Sequence, residues 1–192
     1  MSEIDELFEA LEEAREADQV ASACVIYEEI LTLDDVEDAA QTLLYIRDLV
    51  DLGNFGQAEA TLDRVFELVD QENQHFWYWT KGTFCEETGD FAEAESSFRK
   101  AHKCSSQRGD YLVQAASMAF RQGESAKAEY LVREALKLPC EKDEALSNLG
   151  GYLASQRRFE EARATFQEVL AIDARNEHAH EWLEDLGQLL PD

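Results

Sequence analysis

The sequence predicts an all-α solenoid of antiparallel helical hairpins, and three observations predict it. Four blocks recur: Gly53-Asn54-Phe55-Gly56-Gln57-Ala58, Gly89-Asp90-Phe91-Ala92-Glu93-Ala94, Gly123-Glu124-Ser125-Ala126-Lys127-Ala128 and Arg157-Arg158-Phe159-Glu160-Glu161-Ala162. The last three begin 34 residues apart and the first lies 36 before the second, a period that marks stacked repeats. After each alanine an apolar residue follows four positions later (Leu62, Phe98, Val132, Phe166) and a small or β-branched one seven later (Val65, Ala101, Ala135, Val169), which is one face of a helix. Only Pro139 and Pro191 interrupt the 192 residues, of which 45% are hydrophobic, and no Pro/Gly/Ser-rich linker divides them. One continuous helical body, a single domain over 1–192, is the economical reading.

Each element follows from these positions. The first residue of each block falls where a first helix stops and turns, and glycine tolerates the left-handed backbone that ends a helix. Arg157 departs from this and is expected to weaken its turn. Seven residues earlier stand Ile46, Gly82, Ala116 and Gly150, mostly small, where the two helices of a hairpin cross. Flanking them, Thr42, Tyr78, Leu112 and Leu146 on one side and Leu49, Cys85, Ala119 and Leu153 on the other complete an apolar stripe.

These units resemble tetratricopeptide repeats, with Gly82, Gly89, Phe91, Ala94, Phe98 and Ala101 giving the best match. The resemblance implies a right-handed α-α superhelix. Units are expected at 39–72, 75–108, 109–142 and 143–176. A degenerate unit at 4–37 keeps Leu7, Leu11, Ala14, Ala23, Tyr27 and Ile30 in matching slots, with Asp18 at the turn. An unpaired helix at 177–190 carries Ala179, Trp182, Leu183, Leu186 and Leu190 on a broad apolar face and is expected to cap the last unit. Trp182 and Leu189, left over from capping, could pair two molecules into a homodimer.

The resemblance further implies that the first helices line a concave face. Its open positions are those that the packing stripe leaves free. In the first two units these include Phe8, Glu12, Leu43, Arg47 and Val50. The third unit contributes Phe76, Trp79, Thr83 and Glu86. The fourth contributes Val113, Ser117 and Phe120, and the fifth Glu144, Ser147, Gly151 and Ala154. The run Phe76-Trp77-Tyr78-Trp79 holds more aromatics than the stripe can absorb. Phe76 and Trp79 are therefore either core or an exposed anchor for a partner.

Charge and composition limit the partner. Net charge is −25, and residues 1–75 hold 21 Asp/Glu against Arg15, Arg47 and Arg64, a net of −18 that leaves −7 for the remaining 117. Nucleic acid and anionic membranes would need a basic patch. A protein or peptide with apolar anchors and basic residues fits better. Some tetratricopeptide domains grip a chaperone tail's carboxylate with lysines and asparagines; here the face holds Arg15 and Arg47, no lysine, and Asn148 alone. The acidic run at 34–38 lacks the alternating oxygens and central glycine of a calcium loop and suits a helix N-terminus.

No enzyme is expected. The chain shows no phosphate loop or nucleophile elbow. His178 and His180 point to opposite sides of one helix and make only two-ligand pairs with Glu181 and Glu184, so neither a metal nor any other cofactor is expected. Cys24, Cys85, Cys104 and Cys140 lack paired spacings and read as reduced and buried. The acidic start and the absence of a long apolar run point to the cytosol. The expected role is therefore an adaptor or scaffold. The alternatives are a self-assembling module or a chaperone resembling the class II chaperones of type III secretion, whose repeats Gln122–Glu129 is similar to.

Overall fold

The computed structural model describes residues 3–33 and 39–189. Among them stand eleven α-helices and no strand: α1 (Glu3–Glu16), α2 (Val20–Leu33), α3 (Ala39–Asp51), α4 (Phe55–Val65), α5 (Gln74–Glu87), α6 (Phe91–Cys104), α7 (Asp110–Arg121), α8 (Ser125–Ala135), α9 (Lys142–Ser155), α10 (Phe159–Ile172) and α11 (Glu177–Leu189). The acidic run 34–38, expected to cap a helix, lies outside the described residues, as do the side chain of Leu189 and all of Leu190. The helices fall into two compact units, Met1–Gly89 (unit 1) and Asp90–Asp192 (unit 2).

The hairpin turns explain why the chain folds back where it does. Asp18, Gly53, Gly89, Gly123 and Arg157 all have positive φ, between 56° and 84°. At four of them the same pair of backbone bonds closes the helix. In the turn after α3, for example, Gly53 N–H donates to Val50 O (2.9 Å) and Asn54 N–H to Leu49 O (2.8 Å). This is the double bond pattern that satisfies orphan carbonyls at a helix end. Arg157 and Arg158 repeat it, donating to Ala154 O at 2.9 Å and Leu153 O at 3.0 Å. The arginine thus keeps the turn geometry intact and carries a left-handed backbone that glycine would hold without steric cost.

In unit 1, α1 pairs with α2 and α3 with α4, and α5 packs on α3 and α4. Tyr27 and Thr42 share a buried hydroxyl–hydroxyl bond of 2.8 Å, and the Tyr27 and Tyr45 rings lie 5.0 Å apart. In unit 2 each helix from α6 to α11 packs on the next. The crossing glycine shows why small residues recur there: a Cβ on Gly150 would sit 2.6 Å from the Phe166 ring. The helix-face residues Leu62, Phe98, Val132, Phe166, Val65, Ala101, Ala135 and Val169 are all buried. The cysteines divide, contrary to the expectation that all are buried. Cys24 and Cys85 are buried and Cys140 half-buried, but Cys104 is exposed because it ends α6 at the surface. Burial pushes the Cys24 thiol up to about 11, so it stays protonated at neutral pH.

Candidate partner-binding surfaces

Unit 1 resolves the aromatic run into two roles. Trp77 is core: its indole N–H donates to Leu62 O (3.0 Å), and its ring meets Phe66 at 4.6 Å and Tyr78 at 5.1 Å. Phe76 and Trp79, on the other side of α5, are half-buried and stack nearly parallel at 5.5 Å. The Arg47 guanidinium lies 5.1 Å over the Trp79 ring, a cation–π contact that partly covers it. Phe8 and Thr83 are half-buried and Glu12 is exposed, while Glu86 is half-buried. Leu43 and Val50, expected on the open face, are instead buried at 0% and 5% exposure, because α3 packs against α2, α4 and α5 at once. Arg15 is engaged. It donates to Asp48 Oδ2 at 3.0 Å and to Gln41 Oε1 at 2.7 Å. Even so, burial holds the Asp48 carboxyl above its ordinary pKa, against the bonds and charge of Arg15.

Unit 2 contains a cleft of about 370 Å³ between α7, α9 and α11. Of the residues expected to face a partner, Ser117 and Phe120 line it from α7, and Ser147, Gly151 and Ala154 from α9. Val113, expected beside them, is buried at 3% exposure, since α7 packs against α6, α8 and α9. Phe120 is 38% exposed, with its ring 4.8 Å from that of Tyr152. Burial pushes the Tyr152 phenol well above its usual range, so that wall is neutral at every physiological pH.

The cleft also uses residues that the repeat register did not single out. Asn148 stands one turn from Gly151 and two from Ser155 on the same helix, and its amide and the Ser147 hydroxyl have no partner among the described residues. The expected capping helix supplies a third wall through His178, Trp182, Asp185 and Leu186. Trp182 stacks on Phe166 at 5.5 Å and donates its indole N–H to His178 Nε2 at 3.1 Å. It thus covers part of the last hairpin and is itself half-buried. The spacing of 178, 182 and 185 was a visible signal, being i, i+4, i+7 on a second face of that helix.

Chemically, the cleft offers an apolar wall, a free amide suited to pairing with a peptide backbone, and one carboxylate. No serine and no carboxylate bonds to His178 among the described residues, so it forms no nucleophile–base–acid chain. No group of three His, Cys, Asp or Glu among them is placed to hold a metal. One turn before Ser147 on α9, the Glu144 carboxyl is held above its ordinary pKa by desolvation and by the neighbouring charges of Asp110 and Asp143. Glu144 thus stands in an acidic cluster with Asp110 and Asp143, one turn beyond the lining residue Ser147.

Comparison with known proteins adds the lineage. The tetratricopeptide repeat family model matches residues 43–109 and 113–177. The C-terminal part of a TPR repeat-containing protein from Cytophaga hutchinsonii superposes with a TM-score of 0.80 at 13% identity, over 94% of this chain and 70% of that one. A thermophilic TPR protein of Thermus thermophilus gives 0.64 at 17% identity, over 97% and 100%. The first TPR domain of Spaghetti, solved with an HSP90 peptide, gives 0.60 at 24% identity, over 65% and 98%. The sequence matches no curated protein.

Proposed function

This chain belongs to the tetratricopeptide repeat family, and on that premise we propose that it is a non-catalytic adaptor whose unit 2 cleft holds a short segment of a partner protein. One observation carries the reading: a cleft with an apolar wall keeps Asn148 and Ser147 unpaired and Phe120 exposed, where a free-standing helical unit has no use for either. Binding sites combine an apolar wall with a few oriented polar groups, and an aromatic in a pocket dominates peptide affinity. The segment that fits carries an apolar anchor beside Phe120 and a basic residue toward Asp110, Glu144 and Asp185. An acidic peptide like the HSP90 peptide SRMEEVD bound to Spaghetti's domain fits poorly, since no lysine or arginine lines this cleft. The cytosol is the natural site of such work, and among the described residues no helix is long and apolar enough to cross a membrane.

The test is a capture from the source cell's lysate with three full-length baits, wild type, Phe120→Ala/Asn148→Ala and Phe76→Ala/Trp79→Ala, each shown by circular dichroism to be folded. The reading requires a defined partner that the first variant loses. A partner lost only by the second would move the site to the Arg47–Trp79–Phe76 platform of unit 1. Acid should weaken capture, because the raised pKa of Glu144 means that its charge is lost above the ordinary carboxylate range as pH falls.

A further inference from the structure

We propose that unit 2 carries a second docking surface, on α6 and α8, for an acidic segment bearing apolar or aromatic anchors. The chain as a whole is strongly acidic, yet residues 99–142 hold nine Lys/Arg against five Asp/Glu, a net of +4. Over half of the 17 basic residues of the protein lie in this stretch. The structure gathers several of them around two adjoining depressions of about 340 and 380 Å³ that share Arg99 and Lys103 as their common rim. None of their lining residues lines the cleft of the proposed function.

The two depressions differ in what they offer. In the first, Lys127 is already spent on Glu95 (2.6 Å) and Glu124 (2.9 Å). In the second, Arg99 pairs with Glu95 and Lys137 with Glu134, and the shared Lys103 has no partner among the described residues. Its floor is apolar, made by Leu112, Leu131 and Leu138, and Tyr130 stands beside it at 62% exposure. An aromatic this exposed, on an apolar floor rimmed by cations, matches the anchor-and-rim arrangement of protein interfaces. The cations set the sign of the partner. At physiological salt charges are screened beyond about 8 Å, so the lining itself, five Lys/Arg (Arg99, Lys100, Lys103, Lys127, Lys137) against Glu95 and Glu134, governs a docked segment and the distant acidic residues do not.

Fluorescence polarisation of full-length protein with the fluorescein-labelled peptide EEDLEFEDEE tests the surface, beside a control peptide with both anchors changed to serine. Wild type should bind the anchored peptide saturably. The control, Lys103→Glu and Tyr130→Ser should each weaken binding by about tenfold, the usual effect of removing a contributing contact. Both substituted side chains are exposed, and circular dichroism checks the fold. Gly151→Gln, which fills only the cleft, should bind this peptide as wild type does, so failure here and failure of the proposed function are separable. Four results would overturn the inference. They are no saturable binding, equal affinity for the anchorless control or the Lys103→Glu variant, displacement of the peptide by oligo-uridine RNA, and a salt-sensitive dimer of the protein alone that Lys103→Glu abolishes. The last would assign the surface to a second copy.

Discussion

In unit 2, Glu95 on α6 and Glu129 on α8 stand 34 residues apart, and each is gripped by a glutamine at the end of the following first helix, Gln122 at 3.2 Å and Gln156 at 3.0 Å. A cation completes each clamp: Lys127 on Glu95 and Arg158 on Glu129, both at 2.6 Å. The matching position in unit 1 is Glu59, which is exposed, with Thr88 where the glutamine would be. Unit 1 ties its hairpins by other means. Arg15 joins α1 to α3 through Asp48, and Glu28 accepts from Tyr45 (2.8 Å) and Gln57 (3.0 Å). Unit 1 is also far more acidic, with 4 Lys/Arg to 23 Asp/Glu against 13 to 19 in unit 2. The period of the repeat therefore resides in its turns and apolar contacts, while polar ties between hairpins are local solutions that each unit finds separately.

The largest expected effect lies within one aromatic run. Trp77→Ala should cost about 3–5 kcal/mol in urea denaturation, as for other buried aromatics. Trp79→Ala, on the surface of the same helix, should cost about 1 kcal/mol or less. Equal losses would mean that the platform is core after all.

Two adjacent glycines in unit 2 should respond with opposite signs. Gly150→Ala drives a methyl into the Phe166 ring and should destabilise by about 1–3 kcal/mol. Gly151→Ala meets nothing within 4 Å and should stabilise by about 0.5–1 kcal/mol, the ordinary helix preference for alanine.

The clamps give a smaller, pH-dependent difference. Burial disfavours the Glu129 charge, but the bonds from Gln156, Arg133 and Arg158 outweigh it and hold the pKa below the ordinary value. A depressed carboxylate stabilises the fold above its unfolded pKa, and the contribution is lost as pH falls through the folded one. Glu129→Gln should thus cost about 1 kcal/mol at pH 7 and progressively less in acid, whereas Glu59→Gln in unit 1 should change stability by about 0.5 kcal/mol at most. Asp48 has the opposite sign: its raised pKa opposes folding at neutral pH, and that penalty is relieved as pH falls through the folded pKa. Arg157→Gly and Asp18→Gly should each stabilise by about 0.5–1 kcal/mol by relieving a left-handed backbone, seen as a higher melting temperature.

These contrasts also show what the sequence made legible. The fold class was readable because turn residues and crossing glycines answer to local geometry that repeats every 34 residues. The open face was readable only in part. Ser117, Phe120 and Gly151 line the cleft, but Leu43, Val50 and Val113 are buried. A first helix here touches its own partner and the helices of neighbouring hairpins, so its apolar face is wider than one stripe. The clamps were invisible, since Glu95 with Gln122 and Glu129 with Gln156 join residues 27 apart that read singly as solvated surface. Asn148 was noticed only as a solitary asparagine; its value comes from the cleft that α11 closes around it.

The most direct test of the central claim is calorimetric titration of the captured partner's binding segment into Gly151→Gln. That substitution places a long side chain in the cleft at a position with open space around it. Binding should fall by about tenfold or more while the melting temperature holds or rises. Unchanged affinity in a folded variant would contradict the claim that this cleft holds the partner.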